Sequence, residues 1–140
     1  MSQQRLRRVV LIDDDSFDNK ANVRMMHRAG LTVEVITFTM AEDALTWFRR
    51  FGVRHADLVL LDIRLPRMDG FEFLEAMKAE FGSRFDEAAV ILMTSSLHPV
   101  DRGRALGFPA VRACLHKPLT RAMLEQTMDD IGAGAVKLAG

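Results

Sequence analysis

The sequence predicts an α/β protein of five βα units, in which a parallel sheet is covered by helices on both faces. The pattern of apolar residues along the chain indicates this class. Short apolar runs, too short for ordinary helices, alternate with longer segments whose apolar residues have helical spacing. Such alternation is typical of a doubly wound parallel sheet. The chain has 140 residues, 49% of them hydrophobic, which is enough for one domain with a sizeable core.

The predicted elements follow one another with no internal repeat, linker or second domain. Buried strands, each short and mostly apolar, are predicted at residues 9–12, 32–38, 57–62, 89–93 and 113–115. Helices are predicted at residues 16–29, 40–51, 71–81, 99–106 and 121–128, and residues 82–87 are predicted to form a loop. Capping side chains are expected at three helix starts, at Ser16, Asp69 and Thr120. Residues 131–140 are expected to be a flexible tail.

The most informative segment is the third strand and the turn that follows it. Leu58 to Leu61 are four consecutive apolar residues, and Asp62 comes immediately after them. Pro66 prevents a helix from running through the segment, and Gly70 marks a turn. Asp62 is therefore predicted to display a carboxylate at the carboxyl end of a buried strand, where open α/β sheets place their ligands.

Polar or charged residues also follow the other strands. Right-handed crossovers bring the carboxyl ends of all the strands to one edge of the sheet, so several of these side chains should converge there. The residues expected at that edge are Asp13, Asp14, Asp62, Thr94, Ser95 and Lys117.

The residue types at this edge predict a particular chemistry. Three converging carboxylates repel one another and need a cation, and oxygen ligands alone favour a hard ion, Mg²⁺ or Mn²⁺. A hydroxyl and an ammonium opposite the carboxylates suit phosphoryl oxygens. The combination predicts phosphoryl transfer to a carboxylate nucleophile.

Four motifs, each closing its own strand, make the chain resemble a known family. They read V-L-I-D-D-D, L-L-D-I-R-L-P-R-M-D-G, V-I-L-M-T-S-S and L-H-K-P. Together they resemble the receiver domain of bacterial response regulators, including single-domain chemotaxis regulators, over residues 8–128. The resemblance implies a flavodoxin-like (βα)5 fold with strand order 2-1-3-4-5. It also implies a receiver domain at 8–130, after a lead-in at 1–7.

The resemblance implies a role for each residue at the sheet edge. Asp62 would be the phosphoacceptor. Mg²⁺ would be held directly by Asp14, Asp62 and the backbone carbonyl of Arg64, and by Asp13 largely through water. The residues that would bind the phosphoryl group or respond to it are Thr94, Ser95 and Lys117.

Two further expectations come from the resemblance. The Lys117–Pro118 peptide bond should be cis. Family members often carry an aromatic residue three positions before the lysine, whose rotamer follows phosphorylation, but here that position is Cys114. The switch is therefore expected to be atypical.

The implied function is a stand-alone receiver that takes a phosphoryl group from a histidine kinase or phosphotransfer protein and signals through a protein partner. It would not be an enzyme. The alternative is a haloacid-dehalogenase-like phosphatase with Asp13 as nucleophile, but that reading leaves Asp62 unexplained and leaves no room for the usual cap insertion. A receiver that binds partners without phosphorylation is a third possibility, against which the intact set of acidic residues argues.

Charge and cysteine content limit the partners and the compartment. Nineteen basic and nineteen acidic residues give a formal net charge of zero, which removes the general electrostatic argument for binding nucleic acid or an anionic membrane. A small basic cluster at Arg5, Arg7 and Arg8 reads as a solvated lead-in. One cysteine, no signal peptide and no long apolar run predict a cytoplasmic protein. It is expected to be a monomer or a weak dimer.

Overall fold

The described residues of the computed structural model, 6–96, 98–132 and 137–138, contain six parallel strands in one sheet. They are β1 (Leu6–Ile12), β2 (Thr32–Phe38), β3 (Leu58–Asp62), β4 (Val90–Thr94), β5 (Val111–His116) and β6 (Lys137–Leu138). Their order across the sheet is β2-β1-β3-β4-β5-β6. The predicted order 2-1-3-4-5 is thus confirmed for the first five strands, and β6 was not predicted.

Helices connect the strands in the predicted alternation. They are α1 (Ser16–Arg28), α2 (Ala41–Phe51), α3 (Gly70–Phe81), α4 (Ser83–Asp86), α5 (Pro99–Ala105) and α6 (Arg121–Gly132), and a short 3-10 turn covers Val53–His55. None of the helices in the described ranges is both long and apolar enough to cross a membrane.

Two segments differ from the sequence predictions. The predicted loop at 82–87 contains α4, a single helical turn, because Phe85 is buried in the core and draws that turn against the domain. The predicted tail at 131–140 contains the end of α6 and, at 137–138, the strand β6, which pairs with Ala113 and Cys114 of β5. The other residues of that tail lie outside the described ranges, as does Arg5 in the predicted lead-in.

The central strand β3 is buried on both faces. Val59 and Leu61 lie in one core cluster, together with residues of α2 and α3. Leu58 and Leu60 lie in the other cluster, together with residues of α1 and α6. Because β3 has no polar face, the first place where it can display a functional side chain is its last residue, Asp62.

Side-chain caps fix the starts of α1 and α3. Asp15, rather than the predicted Ser16, caps α1, because its carboxylate accepts hydrogen bonds from the backbone N–H groups of Phe17 and Asp18. Asp69 caps α3 in a capping box with Glu72. These caps place the first turns of α1 and α3 directly beside the ends of β1 and β3.

A close approach between α3 and β3 explains the glycine at the start of α3. A Cβ atom at Gly70 would lie 2.7 Å from the carbonyl oxygen of Asp62 and 2.9 Å from Cα of Ile63. Both neighbours are backbone atoms, so a side chain could be accommodated only if the two elements moved apart. Gly70 therefore lets α3 begin against the end of β3.

Candidate functional site

Three carboxylates meet at the carboxyl edge of the sheet. Asp13 follows β1 and is fully buried, Asp62 ends β3 and is 5% exposed, and Asp14 is exposed. One carboxylate oxygen from each residue lies within 4.8 Å of the others. The structure thus brings together the acidic residues that the sequence placed at this edge.

Lys117 lies among these carboxylates. Its ammonium nitrogen is 2.7 Å from Oδ2 of Asp13, 3.1 Å from Oδ2 of Asp62 and 3.5 Å from Oδ2 of Asp18. Its backbone N–H donates to the carbonyl oxygen of Thr94, 2.8 Å away, which fixes β5 beside β4 at the site. The Lys117–Pro118 peptide bond that follows is cis.

The charges at this edge do not balance. Asp13, Asp14 and Asp62 place three carboxylates around the single ammonium of Lys117. Like charges held this closely raise the free energy of the site unless a cation neutralises them. A divalent ion that prefers oxygen ligands fits both the excess charge and the donor set.

Burial and pairing shift the pKa values of the two central groups. Burial raises the pKa of the Asp62 carboxyl, and the hydrogen bonds from Lys117 and from the backbone N–H of Arg64 only partly oppose this effect. Burial lowers the pKa of Lys117, but its hydrogen bonds to Asp13 and Asp62 outweigh burial and leave the pKa above its ordinary value. Lys117 therefore stays charged at neutral pH, whereas the surroundings of Asp62 make its pKa higher than that of an ordinary carboxyl.

Asp13 is held by the residue that caps α1 and by a residue within this helix. Its Oδ1 accepts from the backbone N–H of Asp15 at 2.9 Å, and its carbonyl oxygen accepts from the side-chain amide of Asn19 at 2.8 Å. Sequence reasoning missed Asn19, which is only 4% exposed. The available signal was an amide at a core-facing position, since Asn19, Val23 and Met26 have the spacing of one helix face.

Asp62 is linked to the loop that follows it and, through that loop, to α5. Its Oδ1 accepts from the backbone N–H of Arg64 at 3.1 Å. The guanidinium of Arg64 pairs with Asp101 of α5 at 2.6 Å. The sequence analysis assigned a role to the carbonyl of Arg64 but none to its side chain, and it did not identify Asp101.

The predicted switch residues on β4 and the following loop are close to the site. Thr94 is fully buried, and its hydroxyl donates to the carbonyl oxygen of Ser96 at 3.0 Å and accepts from the Ser96 N–H at 3.1 Å. Ser95 is exposed and lines the cavity beside the carboxylates. The hydroxyl of Thr94 is therefore bonded within its own loop in this state.

Cys114 lies in the interior of β5, opposite Leu92 of β4. Burial raises the pKa of its thiol to about 11, and the negative charge of Asp101 adds to the effect. A buried thiol that stays protonated is unreactive at neutral pH. The side chain thus fills a small space in the core near α5.

An open cavity of about 600 Å³ lies beside the carboxylates. Asp13, Asp14 and Lys117 line one part, and Met25, Pro118 and Leu119 line another. The cavity thus combines a part with excess negative charge and an apolar wall.

Comparison with known proteins gives a consistent set of relatives. A family model described as the response regulator receiver domain matches residues 9–129. A probable methanogenesis regulatory protein of Methanothrix harundinacea is 29% identical over 126 residues, which cover 88% of this chain and 79% of that protein. A protein-glutamate methylesterase/protein-glutamine glutaminase of Geobacter sulfurreducens is 35% identical over 104 residues, which cover 74% of this chain and 26% of that protein.

A solved structure shows the same fold. The crystal structure of a two-component response regulator from Cytophaga hutchinsonii matches with a TM-score of 0.84 at 24% sequence identity, covering 93% of this chain and 99% of that one. This match covers nearly the whole of both chains. The match to the methylesterase covers only about a quarter of that protein.

Proposed function

This chain belongs to the response regulator receiver family, and from that premise we propose that Asp62 accepts a phosphoryl group from a phosphohistidine. Receiver domains are signalling modules of two-component systems. The donor would be a histidine kinase or a phosphotransfer protein. The chain would act without an enzymatic product of its own, and its output would be a change in binding to a protein partner.

The observation that carries the proposal is the arrangement around Asp62. A buried carboxylate with a raised pKa lies at the end of a rigid strand, beside one lysine and two further carboxylates. A structural ion pair would need one acid for the lysine, and this site has an excess of acids. Excess negative charge beside an open cavity favours a metal-dependent phosphoryl acceptor over a purely structural role.

The residues at the site fit Mg²⁺, with Mn²⁺ as a substitute. All the available donors are oxygens, and the ion would be held by Asp13, Asp14, Asp62 and the carbonyl of Arg64. When bound, Mg²⁺ would neutralise charge on the phosphoryl oxygens.

The proposed transfer is an exchange of one bond to phosphorus for another. A carboxylate oxygen of Asp62 forms a bond to phosphorus as the bond to the donor imidazole nitrogen breaks, and the imidazole keeps the electron pair. Lys117, which is already 3.1 Å from Asp62, would then pair with a phosphoryl oxygen. The Thr94 hydroxyl would donate to another phosphoryl oxygen after leaving the carbonyl of Ser96. Water attack at phosphorus would later return the Asp62 carboxylate and release inorganic phosphate.

The phosphatase alternative is disfavoured by the position of Asp15. A phosphatase with Asp13 as nucleophile would need Asp15 as its acid and base. Here the Asp15 carboxylate accepts from two backbone N–H groups as the cap of α1. The later acids that such an enzyme would need, at 129 and 130, lie within α6 rather than after a strand.

The remaining predictions about setting follow from the family and stay proposals. The chain would act in the cytoplasm as a receiver, monomeric or weakly dimeric. It would bind neither nucleic acid nor membrane, since its formal charge is balanced.

Labelling with acetyl phosphate in Mg²⁺ tests the proposal. The parent protein and Asp43→Asn, a control at an exposed position on α2, should both be labelled. Asp62→Asn should give no label above background, because the amide cannot form the acyl phosphate. Equal labelling of Asp62→Asn and the parent would contradict the assignment. If Asp13→Asn were inactive while Asp62→Asn hydrolysed phosphate esters, the phosphatase reading would replace it.

A further inference from the structure

The phosphoacceptor loop is joined to α5 by one ion pair. The backbone N–H of Arg64 is hydrogen-bonded to Asp62, and the Arg64 guanidinium reaches 2.6 Å from Oδ2 of Asp101. Arg64 thus contacts the proposed phosphoacceptor with its backbone and α5 with its side chain. Arg64 and Asp101 are 37 residues apart in sequence.

The two partners of the ion pair have very different surroundings. The Arg64 side chain is 50% exposed, whereas the Asp101 side chain is only 6% exposed. Water can solvate the half-exposed guanidinium once it leaves the pair, whereas the buried carboxylate that loses its partner is strongly destabilised. The pair is therefore an unequal one, in which only Arg64 is free to leave.

We propose that Arg64 exchanges Asp101 for the phosphoryl group when Asp62 is phosphorylated, and that Asp101 is the positioning residue that holds Arg64 in the resting state. This inference rests on the proposed function. A phosphoryl group brings roughly two negative charges, whereas Asp101 offers one. The planar guanidinium matches phosphoryl oxygens with two parallel hydrogen bonds. Arg64 is close enough to compete for the group, because its own backbone already contacts the Asp62 carboxylate.

The exchange would act on α5. Once Arg64 leaves, Asp101 remains as a buried anion, and α5 must shift to bring this carboxylate to water. Val100 and Leu106, which lie on α5 and at its end, are 72% and 71% exposed, so a shift of this helix changes an apolar surface that a partner protein can read. This route needs no aromatic side chain at position 114, where the chain has a small buried cysteine.

Beryllofluoride, which mimics the phosphoryl group on an aspartate, provides the test. Its affinity for the parent, Arg64→Gln, Asp101→Asn and the double variant is measured in Mg²⁺ by amide NMR. Arg54→Ala is the control, since it breaks an exposed ion pair with Glu87 before the amino end of β3. Arg64→Gln should weaken beryllofluoride binding about 10-fold, as expected for the loss of charge-assisted hydrogen bonds. Asp101→Asn should tighten it several-fold, because Arg64 no longer has a competing partner, and Arg54→Ala should change nothing.

The double variant decides between exchange and a structural role. If Arg64 is the link, Asp101→Asn should have no effect on affinity in the Arg64→Gln background. The Nε–H resonance of Arg64 should also move on beryllofluoride binding in the parent. Unchanged affinity in Arg64→Gln, or an equal effect of Asp101→Asn in both backgrounds, would overturn the exchange while leaving the proposed function intact. Failure of the parent to bind beryllofluoride would overturn both. Arg64→Gln changes a half-exposed side chain, so its result stands even if Asp101→Asn folds poorly.

Discussion

Two aspartates at opposite ends of the same strand illustrate how this fold separates structure from chemistry. Asp57 precedes β3, is exposed, and accepts from the backbone N–H groups of Arg7 and Arg8 at 2.8 and 3.2 Å. Asp62 ends β3, is buried, and shares one lysine with Asp13. Asp57 therefore has the donors it needs, whereas Asp62 lies in a cluster with too little positive charge. The comparison teaches that the fold leaves one of the two carboxylates incompletely neutralised, and this is the one proposed as the phosphoacceptor.

Of the substitutions near Asp62, removal of the Lys117 ammonium should lower the stability of the protein most. Lys117→Met keeps much of the side-chain volume but leaves Asp13 and Asp62 as buried anions without their ammonium. We expect the free energy of unfolding at neutral pH to fall by about 3 kcal/mol, as for other buried ion pairs that lose one partner. Urea denaturation measures this change. A variant as stable as the parent would show that the pair is solvated, contrary to the geometry.

A single methyl group at Gly70 should destabilise the carboxyl end of β3 through steric overlap alone. Because its Cβ would meet the backbone of Asp62 and Ile63, we expect Gly70→Ala to cost about 2 kcal/mol by overpacking. Gly103→Ala in α5 is the matched control, since its Cβ meets nothing within 4 Å and alanine favours a helix by up to about 1 kcal/mol. Thermal melts of the two variants should shift in opposite directions. Shifts in the same direction would contradict the close approach of α3 to β3.

Replacement by Asn at Asp57 and at Asp62 should change the free energy of unfolding in opposite directions, by smaller amounts. Asp57→Asn should lower the free energy of unfolding by about 1 kcal/mol, because a neutral oxygen accepts more weakly from the two N–H groups. Asp62→Asn should raise it at neutral pH, because it removes a buried anion and leaves Lys117 paired with Asp13. Urea denaturation of both variants and the parent in metal-free buffer tests this difference in sign. Destabilisation by Asp62→Asn would mean that this carboxylate is structural.

The stabilisation expected from Asp62→Asn should depend on pH, because the pKa of Asp62 is raised in the folded protein. Folding favours the protonated form of this carboxyl, so its stabilising contribution is present below the ordinary pKa of 3.8 and is lost as pH rises through the folded pKa. The gain from Asp62→Asn should therefore be full at neutral pH and vanish in acid. A gain that is constant across this range would have another cause.

Much of the site could be predicted because the ends of buried strands can be recognised in the sequence. A charged residue directly after a buried strand lies at the carboxyl edge of a parallel sheet. This reasoning placed Asp13, Asp62 and Lys117 at one edge. It could not predict that Lys117 bridges Asp13 and Asp62 in the resting state, because that depends on side-chain distances. The pairing of Arg64 with Asp101 was also invisible, since no local pattern connects positions so far apart.

The misses in the fold have the same origin. The turn α4 depends on the burial of Phe85, and one apolar residue in a short polar stretch carries no periodicity. The strand β6 has two residues and exists by pairing with β5, which is a tertiary contact and not a local preference. Longer helices and strands were predicted well, because the spacing of apolar residues within each of them indicates its type.

The central position of β3 also determines which atoms can respond at the site. This strand pairs with β1 on one side and β4 on the other, and both its faces are buried. Its amide protons should exchange with solvent only when the whole domain unfolds, which makes β3 one of the slowest-exchanging parts of the chain. Asp62 is attached to that strand, so a phosphoryl group on it would have little freedom to move. Deuterium uptake that changes on activation should therefore appear in the loops after β3 and β4 and in α5, with β3 itself unchanged.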